Sequence, residues 1–200
     1  MDDQLDDISF EPEAINYVFN FDDNNSSAVA CINKSLITPF SSKSKAIDNT
    51  EEAVQKELIE LKELIDQREQ SKKHFPHIYL TFLQFGNGSM FRDTKSGGDS
   101  KCTQLLHDIM KRGSQCGVFV ILQSQVLKDF AFLRKRENKD FCHIVALQMS
   151  NDNACSFLDL PEAGKLNQVG ADTSGKCRGL YKDVINDTVK KFKPYKYINE

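Results

Sequence analysis

Short polar stretches that each follow an apolar run hold the residues best placed to do chemistry. Gln84-Phe85-Gly86-Asn87 follows Ile78 to Leu83, Ser124-Gln125 closely follows Val118 to Leu122, and Ser150-Asn151-Asp152 follows His143 to Met149. If the apolar runs are parallel strands, these are their carboxyl ends, the edge at which open α/β sheets bind ligands. A glutamine there can orient a water through its amide but cannot act as a base. Ser, His and Asp are all present, yet no GxSxG elbow marks a hydrolase nucleophile. His74, His77, His107 and His143 do not pair at metal-ligand spacing, so no metal site is expected. Nor is there a GxxxxGK[ST] run, whose backbone N–H groups would cradle phosphate while its Lys and Ser/Thr served phosphate and Mg²⁺. Gly97-Gly98-Asp99-Ser100-Lys101-Cys102-Thr103 imitates one superficially, but no glycine directly precedes the lysine and no strand leads directly into it.

The elements that must position these residues are legible from pattern. Ile15 to Phe21 combines β-branched and aromatic residues, stops at Asp22-Asp23-Asn24-Asn25, and reads as a strand. A polar connector is expected around Pro39 to Lys45. Asn49 or Asp48 can then cap a helix with Glu51 and Glu52 in its first turn, where carboxylates meet the positive end of the helix dipole. Val54, Leu58, Leu61 and Ile65 fall on one stripe of that helix, which is expected to run to about Lys73 and to pack on this protein's own sheet. Ile78 to Leu83 is near-continuously apolar, as a parallel strand covered on both faces is. Thr103 can cap a short helix with Leu105, Leu106, Ile109 and Met110, closed by Gly113. Val118 to Leu122 and His143 to Met149 read as two more buried strands. A helix over Asp152 to about Leu158 and a turn around Ala163 to Leu166 follow. Arg178 to Lys182 and Val189 to Lys193, flanking Ile185-Asn186-Asp187, read as a closing antiparallel hairpin. Strand and helix alternate, so the expected class is α/β: a mostly parallel sheet flanked by helices, ending in that hairpin.

Composition narrows the setting. The chain has 200 residues, 40% hydrophobic and 28% charged, enough for one sizeable core. Its net charge of -3 makes the whole no electrostatic magnet for nucleic acid. Charge is uneven: residues 1–14 are acidic, and the last stretch carries Lys176, Arg178, Lys182, Lys190, Lys191, Lys193 and Lys196. The six cysteines form no CxxC pair and read as reduced thiols beside apolar runs. Apolar runs are too short to span a membrane and the start is acidic, so a cytoplasmic protein is expected.

The order of features over roughly 15–195 resembles the FtsK/SpoIIIE/HerA family of P-loop translocases. The most specific stretch is Leu147-Gln148-Met149-Ser150-Asn151-Asp152, continuing through Leu158-Asp159 to Ala163-Gly164-Lys165-Leu166. Arg178-Gly179-Leu180-Tyr181 and Phe192-Lys193-Pro194-Tyr195 follow it. Gly117 to Gln125 looks like the family's strand ending in a polar Ser/Thr-Gln pair that faces the γ-phosphate. The resemblance implies the later part of a RecA-like P-loop core over 15–200, preceded by an acidic segment, 1–14. It implies ATP and Mg²⁺ for the parent protein, and a partner in the missing N-terminal half of the motor. A homo-oligomer (a hexamer), double-stranded DNA as cargo and a bacterial cytoplasm are also implied. Where the family's strand ends in Asp-Glu, this chain has Leu83-Gln84, so the Mg²⁺ ligand is lost. By that alignment Gln84 and Gln125 are candidate catalytic residues, or else structural amides at strand ends. Ser124 and Arg178 are candidates for nucleotide contact. Arg134 and Arg136 could also reach a neighbouring subunit's phosphates. Arg134-Lys135-Arg136 are candidates for DNA phosphates, or else simply solvated. The expected activity is a share in an ATP-driven DNA translocase, with no hydrolysis by this chain alone. The alternative is a degenerate ATPase-like domain that serves as a regulatory or docking module.

Overall fold

The computed structural model describes residues 14–21, 43–71, 75–92, 98–124, 141–146 and 179–192. The chain falls into two compact units, 1–132 and 133–200. In the first, strands β1 (Ile15–Asn20), β2 (Lys43–Ile47), β3 (Ile78–Leu83) and β4 (Val118–Leu122) form one sheet in the order β2-β1-β3-β4. All its pairings are parallel. Helices α1 (Glu51–Glu69) and α2 (Lys101–Arg112) pack against one another. The second unit holds an antiparallel sheet in the order β5-β6-β7, from β5 (His143–Ala146), β6 (Gly179–Asp183) and β7 (Thr188–Phe192). The expected class, a mostly parallel α/β sheet with a closing hairpin, is what the chain adopts.

β3 is the centre of the first unit. With parallel neighbours on both sides, it buries Ile78, Leu80, Thr81, Phe82 and Leu83. Phe82 stacks on its register partner Phe19 of β1, with ring centroids 4.3 Å apart. Across the same pair of strands the Thr81 hydroxyl donates to Asn16 Oδ1 (3.2 Å), so the buried polar atoms pair with one another. The predicted stripe of α1 holds: Val54, Leu58, Leu61 and Ile65 are all buried.

Polar side chains brace both ends of this packing. Arg68, near the end of α1, is 6% exposed and its Nη1 donates to Pro76 O (3.0 Å) and Cys116 O (2.9 Å), the carbonyls that lead into β3 and β4. Burial lowers its pKa, and its guanidinium lies 4.9 Å from the centroid of the Phe75 ring. Gly117 enters β4 at φ 70, a left-handed conformation that a side chain would strain. Gly113 closes α2 so tightly that a Cβ there would lie 2.8 Å from Val118 O. Between the helices, Arg112 of α2 reaches Asp66 and Glu69 of α1 as well as Asp108 of its own helix.

Several expectations need correction. β2 lies where a polar connector was expected, because an edge strand of sequence Lys-Ser-Lys-Ala-Ile has no alternating apolar pattern to betray it. Thr50, not Asn49 or Asp48, caps α1: its Oγ1 accepts from Ala53 N at 3.3 Å. The helix ends at Glu69 rather than near Lys73. Ser100, not Thr103, caps α2, accepting from Thr103 N at 3.1 Å, while Thr103 is buried with its hydroxyl on Phe91 O. β5 is not a buried parallel strand. It pairs antiparallel with β6, burying Ile144 and Ala146 and leaving His143 and Val145 exposed. Cys102 is buried, with its thiol pushed up to about 11 by burial, whereas Cys142 is exposed. The helix and turn expected between 152 and 166 lie outside the described residues.

Two outcomes follow. Leu58→Ala opens a hole at a fully buried position and should cost ~2–5 kcal/mol in denaturant unfolding. Arg112 holds the Glu69 carboxyl below the usual carboxylate range by hydrogen bonding to it. A depressed carboxylate contributes stability that is present above the ordinary carboxylate pKa and lost as pH falls through the lowered one. Arg112→Ala should therefore lower the urea midpoint at neutral pH and leave little difference from wild type in strong acid.

Candidate functional site: the carboxyl ends of β1, β3 and β4

Parallel pairing brings the ends of β1, β3 and β4 to one edge, and the chain that leaves them is tied down by side chains. After Leu83 the backbone turns sharply at Gln84, which adopts φ 50, ψ 46, the left-handed region that costs a non-glycine residue roughly 1–2 kcal/mol. Three hydrogen bonds from Gln123, the first residue past β4, hold the junction. Gln123 N donates to Phe82 O (2.9 Å), Gln123 O accepts from Phe85 N (2.9 Å), and its side-chain Oε1 accepts from Gln84 N (2.8 Å). On the other flank Phe21 N donates to Leu83 O (3.1 Å), and Asn87 Nδ2 donates to Phe21 O (3.2 Å).

Beneath this edge lies an aromatic cluster that fixes the turn. Phe85 and Phe91 are buried with ring centroids 4.9 Å apart, and each meets Phe82 at right angles. Phe21 packs edge-on against Phe91. Such contacts add about 0.5–1.5 kcal/mol each beyond the area they bury. The segment Gln84 to Phe91 is thus anchored by Phe85, Met90 and Phe91, while Gln84 stays half-buried and Asn87 exposed.

The sequence-predicted residues divide clearly. Gln84 and Ser124 stand at neighbouring strand ends, and Gly86 and Asn87 follow in the same turn. Phe85 belongs to the core rather than to the edge. Gln125, Arg134, Lys135, Arg136, Ser150, Asn151, Asp152 and Arg178 lie outside the described residues. Gln123 was missed, although one signal was available: it is the first polar residue after the apolar run of β4.

Among the described residues that follow β1, β3 and β4 at this edge, Asn20, Leu83, Gln84, Asn87, Gln123 and Ser124 offer amides, a hydroxyl and an apolar side chain. Leu83, at 5% exposure, is packed into the core. Protein sites usually hold Mg²⁺ through one or two carboxylates together with waters, and these six residues supply no carboxylate. Among the described residues no cluster of His, Cys, Asp or Glu could hold a metal ion. The phosphate-loop imitation is no cradle either. Ser100 Oγ occupies the start of α2 by accepting from Thr103 N and donating to Met90 O, and Lys101 is exposed.

Because a left-handed glutamine is strained, Gln84→Gly should raise stability by about 0.5–1 kcal/mol, read as a higher thermal midpoint. Gln123→Ala should lower it by about 1 kcal/mol, since the Gln84 N–H loses its partner.

No family model matches the chain, and a comparison with curated proteins finds no match either. Solved structures do match. The pCW3 conjugation coupling protein TcpA, in its monomer form with ATPγS, superposes with a TM-score of 0.61 at 12% identity, over 90% of this chain and 51% of that one. Thermomonospora curvata EccC (ATPases 2 and 3), in complex with a signal sequence peptide, gives 0.54 at 10% identity, over 93% of this chain and 32% of that one. The cytoplasmic domain of the type VII secretion ATPase EccC from the same organism gives 0.50 at 14% identity, over 92% and 22%. The chain spans about half the length of the first of these and less of the others. It has, in part, the fold of these ATPases.

Proposed function

We propose that this chain is the phosphate-loop-free part of an ATPase motor module of the FtsK/HerA type, whose parent protein uses ATP to move double-stranded DNA. In that reading the chain supplies the strand-end edge of a nucleotide site and another part supplies the phosphate cradle. The observation that carries it is the junction of β3 and β4, where Gln84, Gln123 and Ser124 meet at the carboxyl edge of a parallel sheet. It is supported by the likeness of fold to ATPases, one of them solved with ATPγS. Within this proposal Ser124 and Arg178 contact nucleotide, Gln125 orients the attacking water, and Arg134-Lys135-Arg136 meet DNA phosphates. Assembly is as a homo-oligomeric ring in the cytoplasm. Among the described residues no helix is long and apolar enough to cross a membrane.

A second reading is favoured by one specific feature. Buried Leu83 and neutral Gln84 replace the carboxylates that hydrolysis needs, which suits a degenerate ATPase-like domain kept for regulation or docking. Both readings expect no turnover by this chain alone. Steady-state phosphate release by the purified chain with ATP and magnesium should stay at background. Magnesium-dependent hydrolysis that Gln125→Ala abolishes would sink both.

A further inference from the structure

The sequence contains one Asn–Gly pair, Asn87-Gly88, and it stands in the turn that leaves β3. In such a pair the backbone nitrogen after the asparagine can attack the side-chain amide, since glycine has no side chain to obstruct the approach. Packing and hydrogen bonding explain why both residues are here. A Cβ on Gly88 would lie 3.0 Å from the Phe91 ring, 3.2 Å from Phe85 O and 3.3 Å from Met90 Sδ, so a larger residue would displace the aromatic cluster. Asn87 Nδ2 donates to Phe21 O (3.2 Å), which ties the turn after β3 to the end of β1. The same contacts restrain the reaction. Gly88 N, the attacking atom, is engaged by Phe85 O (3.0 Å), and the amide it would attack is held by Phe21 O. Asn87 is nevertheless exposed, so solvent base and water reach it once the turn opens.

We propose that Asn87 is a deamidation site, restrained by the closed turn, whose product unlatches that turn from β1. Gly88 N gives its proton to solvent hydroxide and forms a bond to Asn87 Cγ. The Cγ–Nδ2 bond breaks, and ammonia leaves with a proton taken from water. Water then opens the resulting succinimide at either carbonyl, leaving aspartate or isoaspartate at this position; no oxidant or cofactor takes part. Either product is a carboxylate at neutral pH and can only accept, so Phe21 O loses its donor and faces a negative charge. Isoaspartate also carries the main chain through the former side chain, which lengthens it by a methylene and misplaces the Gly88 N–H that now meets Phe85 O. The conversion adds a carboxylate to the six strand-end residues, which supply none. It holds whether or not the edge serves a nucleotide.

Incubation of the purified chain at mildly alkaline pH, read by peptide mass mapping and isoaspartyl methyltransferase labelling, tests this. The folded chain should gain aspartate and isoaspartate at Asn87 at least about ten-fold more slowly than the chain unfolded in urea, because two hydrogen bonds must part first. Urea below the unfolding transition should leave the folded rate nearly unchanged, since opening one turn exposes little surface. Asn87→Gln, whose longer side chain cyclises far more slowly, should abolish the labelling at this position. Asn87→Asp stands for one product: the amides of residues 87 and 88 should exchange several-fold faster than in wild type, while those of the β3 ladder keep their protection. Absence of product at Asn87 in the folded chain, after an incubation about a hundred-fold longer than the unfolded chain needs, overturns the site. Equal rates in the folded and unfolded chains overturn the restraint, as does a folded rate that climbs steeply with urea. Unchanged exchange at residues 87 and 88 in Asn87→Asp overturns the latch.

Discussion

A parallel strand cannot be reached by a tight turn, and this constraint organises the first unit. Each return from the carboxyl edge to the amino edge needs a long crossover, and α1 and α2 lie in the crossovers that lead to β3 and β4. The same constraint collects every strand end on one edge. β3 depends on it most, since its core contacts come from strands far away in sequence: Phe82 stacks on Phe19, and Tyr79 on Phe119. Arg68 acts at the opposite edge. One buried guanidinium holds the two carbonyls that lead into β3 and β4, setting the start of both strands from a single helix. Where the strands start fixes where they end, so Gln84 and Gln123 meet.

Legibility in the sequence followed burial. Ile78–Leu83 is apolar because the sheet buries it, whereas Val118–Leu122 is just as apolar with only Val118 buried, and the α1 stripe has helical spacing because one face packs. β2 carried no such mark: it is an edge strand rich in lysine and serine, held by its ladder to β1 and by the Lys45–Glu57 ion pair. Caps were misplaced by a residue or more because several hydroxyl and amide residues stood side by side, and only geometry selects Thr50 or Ser100. β5 misled for another reason. His-Ile-Val-Ala reads as a continuous apolar run, but its hydrogen-bonding partner is the hairpin and one of its faces is exposed.

At the candidate site, sequence located the edge but not its lock. Gln84 and Ser124 were legible as the polar residues that end apolar runs. The contribution of Gln123 was not, because its side chain bonds to a backbone N–H 39 residues away in sequence. Nor does any pattern reveal that Gln84 is left-handed; that follows from the buried rings of Phe85 and Phe91, which pull the chain back into the core just past the strand. The outcome is an edge with the geometry of a ligand-binding sheet and the chemistry of a neutral amide surface.

The most direct measurement is calorimetric titration of ATP with magnesium into this chain alone and into the chain together with a completing part that carries a phosphate loop. Our account predicts binding heat only when both parts are present. Saturable binding of magnesium-ATP by the chain alone would contradict it, because the described edge has neither the cradle nor the carboxylates to hold it.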